Sequence, residues 1–176
     1  MSEQTSLGKG KAPAAHTTPI RRIVTGHDEN MNAIFLEDQF CPNRFLGGGI
    51  DTLVINELWK MESMPGDNTA AYEDPATVPA LNPPAGGNVF RIIEFPPDSE
   101  LGGKPELHRT PSVDYAVVLK GECYAILEEG TETLMKELDV LVQRGTIHGW
   151  SNRSDKPCLM LFVLNGADPI PGLAHK

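Results

Sequence analysis

The apolar segments of this chain are short, and turn-forming residues separate them. Thr52–Leu58, Val89–Phe95, Tyr115–Leu119, Cys123–Leu127, Val140–Val142 and Met160–Leu164 are rich in Val, Ile, Leu and Phe, and no window sustains a 3.6-residue apolar period. Fifteen prolines and seventeen glycines punctuate these runs. Proline removes a backbone donor, and glycine reaches backbone angles that other residues avoid. Segments so short and so often interrupted make strands and turns, not long helices. The expectation is an all-β sandwich or barrel.

With 176 residues the chain is long enough to bury one sizeable core. Residues 1–19 are rich in Ser, Thr, Ala, Gly, Lys and Pro and read as a flexible tail. Residues 20–61 read as N-terminal strands that extend a sheet. Within them, Arg21–Gly26 and Ala33–Glu37 flank a polar tip and suggest a hairpin. A further strand follows, on which alternation puts Leu53, Ile55, Glu57 and Trp59 on one face. Residues 62–88 hold five prolines and read as a long loop, of the kind that covers a site or lies against a partner subunit. Residues 89–168 form the barrel core, with Tyr115–Leu119 and Cys123–Leu127 read as one hairpin through Gly121, and 169–176 form a short tail.

The net charge of −9 opposes binding to nucleic acid or to an anionic membrane surface, both of which favour basic partners. Cys41, Cys123 and Cys158 have no zinc-type spacing, and the last two lie in apolar runs as expected of buried thiols. The first twenty residues lack the apolar stretch of a secretory signal, and no segment is long enough to span a bilayer. A reducing, cytoplasmic location is the expectation, so Asn152-Arg-Ser154 is not expected to act as a glycosylation site.

Two segments carry the candidate chemistry. The first begins at His108, passes Thr110 and Asp114, and ends at Gly121; the second holds Gly145, His148, Trp150 and Asn152. Together they resemble the two-part signature of the cupin family. Its first motif runs His-x-His, three or four residues, Glu, six residues, Gly; its second runs Pro-x-Gly, two residues, His, three residues, Asn. His108 matches the first histidine, and Thr110 stands where the second would be. Asp114 replaces the glutamate, with six residues between it and Gly121. Gly145, His148 and Asn152 match the second motif, and Gln143 replaces its proline. The resemblance covers roughly residues 85–168. It implies a single cupin-type jelly-roll barrel with an N-terminal strand extension, in the style of small stand-alone cupins. Some of those act on polyketide-like or aromatic intermediates of secondary metabolism. It also implies a homodimer, because such extra strands often cross to a second subunit.

The candidate catalytic residues are His108, Asp114 and His148. Two imidazoles and a carboxylate match a facial triad for Fe, Mn, Ni or Zn. Without a metal, a His148–Asp114 pair would serve as an acid–base couple, the carboxylate fixing the tautomer and raising the imidazole pKa. Thr110 is a candidate donor to a developing oxyanion; alternation turns Tyr115 to the opposite face. Arg91 and Glu94 face opposite sides of their strand, and an inward Arg91 would bind a substrate carboxylate. Arg109 alternates outward. Trp150 shares a face with His148 and would form a wall for an apolar substrate. No organic cofactor is expected. The favoured function is a lyase, isomerase or cyclase acting on an apolar, carbonyl-bearing metabolite. An Fe(II)-dependent dioxygenase and a non-catalytic ligand-binding cupin are the alternatives.

Overall fold

The computed structural model describes residues 17–45, 53–77, 82–101 and 105–173. The first 16 residues of the expected tail therefore lie outside it, as do parts of the 62–88 loop and of the loop before His108. Eleven strands are present among the described residues, with one short helix, α1 (Asp98–Leu101), that the sequence pattern did not suggest. No helix among them is long and apolar enough to cross a membrane.

The strands form three antiparallel sheets. β1 (Arg21–His27) and β2 (Ala33–Phe40) make the expected hairpin and a two-stranded sheet of their own. A six-stranded sheet comprises β3 (Arg44–Phe45), β4 (Val54–Met61), β5 (Asn88–Phe95), β11 (Cys158–Gly166), β6 (Ser112–Lys120) and β9 (Val140–Arg144), in that order. A three-stranded sheet holds β10 (His148–Ser151), β7 (Glu122–Leu127) and β8 (Glu132–Lys136). The last two sheets face one another and enclose the main core.

The hairpin expected between Tyr115–Leu119 and Cys123–Leu127 does not form. β6 pairs with β11 and β9, whereas β7 pairs with β10 and β8. Gly121 carries the chain from one sheet to the other instead. Its φ is +82°, and a Cβ there would lie 2.9 Å from the Pro157 carbonyl oxygen, so only glycine passes without displacing backbone. Crossing between the two sheets is how a jelly roll closes its core, and local pattern cannot tell a turn from a crossing.

Strict alternation along β6 sends Ser112, Asp114, Ala116 and Val118 inward. Ala116 and Val118 join Phe95, Cys123, Met160 and Phe162 in the main core. A second cluster, Cys41, Leu58, Ile92 and Leu159, packs on the outer face of the large sheet, with Ile20 against it. β4 carries a bulge. Glu57 pairs with Arg91 but Trp59 pairs with Phe90, so Leu58 is an extra residue. It turns Trp59 away from the face it was expected to share with Glu57. The Trp59 indole stacks on Tyr72 of the 62–88 loop instead, with ring centroids 5.9 Å apart.

Candidate functional site

His108 and His148 meet because their backbones pair. Each donates its N–H to the other's carbonyl at 2.9 Å, as an isolated antiparallel bridge. Directly opposed residues in such a pair project to the same side, and the two imidazole centroids are 4.5 Å apart. His148 is buried and His108 exposed. His148 Nδ1 lies 3.1 Å from the Thr146 carbonyl oxygen. A carbonyl only accepts, so Nδ1 carries the hydrogen and Nε2 keeps the lone pair. Burial is the main cause that pushes the His148 pKa down to about 4; the Thr146 bond opposes it and the charge of His108 adds to it.

The inner face of β6 supplies Ser112 and Asp114, both buried. Among the described residues neither Ser112 Oγ nor Asp114 Oδ1 makes a well-formed hydrogen bond, although Ser112 lies close enough to act on the carboxyl. Burial raises the Asp114 pKa above the usual carboxylate range, against the pull of Ser112, His108 and Arg91. Arg91 does face inward, and its Nη2 pairs with Glu57 Oε1 at 3.2 Å. Arg44 approaches the same oxygen at 3.5 Å. Glu94 takes the other face, where it accepts the Thr18 N–H at 2.9 Å.

A cavity of about 130 Å³ opens between the two sheets. Ala125, Leu127, Leu141 and Trp150 give it an apolar lining, and Gln143 and His148 give it polar points. Trp150 lines the cavity beside His148: its ring lies 6.0 Å from His148 and 5.3 Å from Phe162, edge-on to both. The sequence reading missed Gln143, taken only as a departure from the motif, and Glu57. Period-two spacing from Leu141 would have turned Gln143 inward; no local signal reveals that Glu57 meets Arg91 across two strands.

Several expectations change. His108, Asp114 and His148 do not form a metal triad: among the described residues no three of His, Cys, Asp and Glu are gathered where they could hold an ion. The His108 and His148 rings lie 4.5 Å apart and tilted, and the shorter carboxyl of Asp114 lies buried among Ser112, His108 and Arg91. The donor set therefore does not fit the metal that a cupin barrel implies. Asp114 does not orient His148 either; the Thr146 carbonyl does, and the imidazole pKa falls where the pairing would have raised it. Arg109 is not a free surface residue: its Nη1 donates to the Gly145 carbonyl at 2.8 Å. Thr110 is buried, and Tyr115 is half exposed on the outer face as expected. Asn152 is a structural post, its amide donating to the Phe95 and Lys156 carbonyls at 2.9 and 2.8 Å. At 1 % exposure it is closed to glycosylation in the folded chain.

Two antiparallel sheets packed face to face, with the chain crossing between them, make a cupin-type jelly roll. The sequence comparisons agree, and the chain belongs to the cupin family. It is 32 % identical over 165 residues to the cupin-domain-containing oxidoreductase fogC of Aspergillus ruber, covering 90 % of this chain and 78 % of that one. The cupin-domain-containing oxidoreductase srdB of Neurospora crassa is 32 % identical over 85 % of this chain and 74 % of its own length. Phomopsin biosynthesis cluster protein C' of Diaporthe leptostromiformis is 45 % identical over 96 residues, 54 % of this chain and 48 % of that protein. The chain thus spans about half the length of the phomopsin-cluster relatives it matches. No protein-family model matches the sequence.

Proposed function

We propose that this cupin is an enzyme of secondary metabolism, a lyase, isomerase or cyclase that acts on an apolar, carbonyl-bearing small molecule by acid–base chemistry. The observation that carries this reading is His148. Its Nδ1–H is committed to Thr146, so its lone pair sits on Nε2 of a ring that lines an apolar cavity. Burial keeps that ring neutral at physiological pH. His148 Nε2 would take a proton from the carbon beside the carbonyl, and the carboxyl of Asp114, paired across the sheet with the cavity-lining Gln143, would donate to the carbonyl oxygen. The resulting enol is re-protonated elsewhere for isomerisation or expels a β-hydroxyl as water for elimination. A base this weak matches a proton already acidified by a neighbouring aryl or second carbonyl group. Trp150 would supply an apolar wall and buried Thr110 a further donor, whereas Arg91, ion-paired with Glu57, would meet a substrate carboxylate only by exchanging that partner.

The test uses phenylacetone in D₂O, with deuterium uptake followed by mass spectrometry. The expected result is protein-dependent exchange that survives EDTA and falls by about 10²–10⁴ in His148→Asn. Exchange unaffected by His148→Asn overturns the reading. The names of the relatives favour a second reading, a redox reaction in the same cavity. Oxygen uptake restored by Fe(II) and abolished by EDTA would establish that one instead. The protein is further proposed to work in the cytoplasm, consistent with its three free cysteines, and as a homodimer. Phe35 and Phe40 on the hairpin are 74 % and 64 % exposed, and Val140 and Val142 form a second bare apolar row on β9. Large apolar side chains grouped this way favour a covered surface.

A further inference from the structure

Gln143 stands where the motif resembled in the sequence has proline, and its side chain is 4 % exposed. Its Nε2 donates to the Thr146 carbonyl oxygen at 3.0 Å and also contacts Thr146 Oγ1. That carbonyl oxygen is the one that accepts from His148 Nδ1. Both lone pairs of a single oxygen are thus used, one by the amide and one by the imidazole. Thr146 lies in the turn between β9 and β10, which starts at Gly145 with φ +58°. Arg109 holds the Gly145 carbonyl from the other side. The turn is clamped at two consecutive carbonyls.

We propose that Gln143 is a positioning residue that sets the tautomer of His148 by fixing the Thr146 carbonyl. Proline at this position has no side-chain donor and could not do so. With Gln143 in place, the carbonyl points at Nδ1 and the reactive lone pair stays on Nε2. Without it, the carbonyl is free to turn, and the imidazole can take its hydrogen on Nε2 and lose the basic nitrogen from that end of the ring. The catalytic meaning of this role rests on the acid–base reading; the tautomer itself does not.

The experiment is two-bond ¹H–¹⁵N correlation NMR of the imidazoles in the full chain, with the His148 signals assigned by their loss in His148→Asn. The wild type is expected to show the Nδ1–H pattern. Gln143→Met, which keeps the side-chain volume but removes the donor, is expected to shift the tautomer ratio by about five- to tenfold, as the loss of one hydrogen bond implies. Gln143→Glu, a carboxylate facing a carbonyl, is expected to shift it at least as far, and serves if the methionine variant does not fold. A folded variant of either kind with the wild-type pattern overturns the proposal. Phenylacetone exchange distinguishes the two ideas: its absence in the wild type defeats the acid–base reading while leaving the tautomer result to decide the role of Gln143.

Discussion

Two of the buried polar clusters among the described residues differ in how completely their bonds are made. Beneath the N-terminal hairpin, Arg22 pairs with Glu37 and Asp74, donates to the Tyr72 hydroxyl, and donates to the Glu57 and Leu58 carbonyls. Burial alone would lower its pKa, yet the bonds to Glu37 and Asp74 outweigh that and hold it raised. Inside the barrel, Ser112 Oγ and Asp114 Oδ1 make no well-formed hydrogen bond among the described residues, and the Asp114 pKa is raised by burial. A buried polar atom without a partner costs about 1–3 kcal/mol. The first cluster is a clamp that ties the hairpin and the 62–88 loop to the large sheet. The second keeps polar atoms in reserve, as a surface does that meets a ligand.

The comparison breaks most visibly at the clamp. Arg22→Met leaves the nearly buried carboxylate of Glu37 and the part-exposed one of Asp74 without their cation, and the expected loss is about 2–4 kcal/mol by urea unfolding. The hairpin amides should lose hydrogen-exchange protection before those of β6 and β11. A loss below about 1 kcal/mol would mean that the clamp holds nothing.

The next effect is a pH dependence that belongs to the barrel cluster. His148 titrates near 4 when folded and near 6.5 when unfolded. Between those values the unfolded chain binds the extra proton, so stability rises with pH across this window and is lost as pH falls from about 6.5 towards 4. The full difference is roughly 3 kcal/mol. His148→Asn should flatten the slope of unfolding free energy against pH in that range; an unchanged slope would place the titration elsewhere.

Asp114 gives a smaller effect of opposite sign. Its folded pKa lies above the unfolded one, so its contribution is present at low pH and lost as pH rises through the folded value. Asp114→Asn should therefore raise the melting temperature at pH 7, while lowering phenylacetone exchange. Destabilisation at pH 7 would show that the ionised carboxylate is well satisfied. The least change is expected from metal: Fe(II), Mn(II), Ni(II) or Zn(II) should move the wild-type melting temperature by less than about 1 °C, since no three donors are gathered to hold an ion among the described residues. Thr110→His combined with Asp114→Glu restores the family's ligand types and should gain a clear metal-dependent rise.

Much of this was legible along the chain. Short punctuated apolar runs gave an all-β fold, and alternation placed Asp114, Ala116 and Val118 inside and Tyr115 outside. The turn glycines Gly121 and Gly145 both adopt positive φ. The spacing of His148 and Trp150 put both on one face of β10 and both on the cavity.

What escaped the sequence depended on pairing between distant strands. Periodicity reports which side a residue takes on its own strand, not which strand lies beside it. The crossing at Gly121 resembles a hairpin turn until the partners of β6 and β7 are known. One extra residue at Leu58 turns Trp59 to the other face, and the bulge exists only relative to β5. The partner of His148 is a backbone carbonyl, which has no residue identity to be recognised in a sequence. The chemical types in the barrel were fixed by the order of amino acids. Their protonation states were decided by the fold, because burial and the groups brought within a few ångströms are properties of three dimensions.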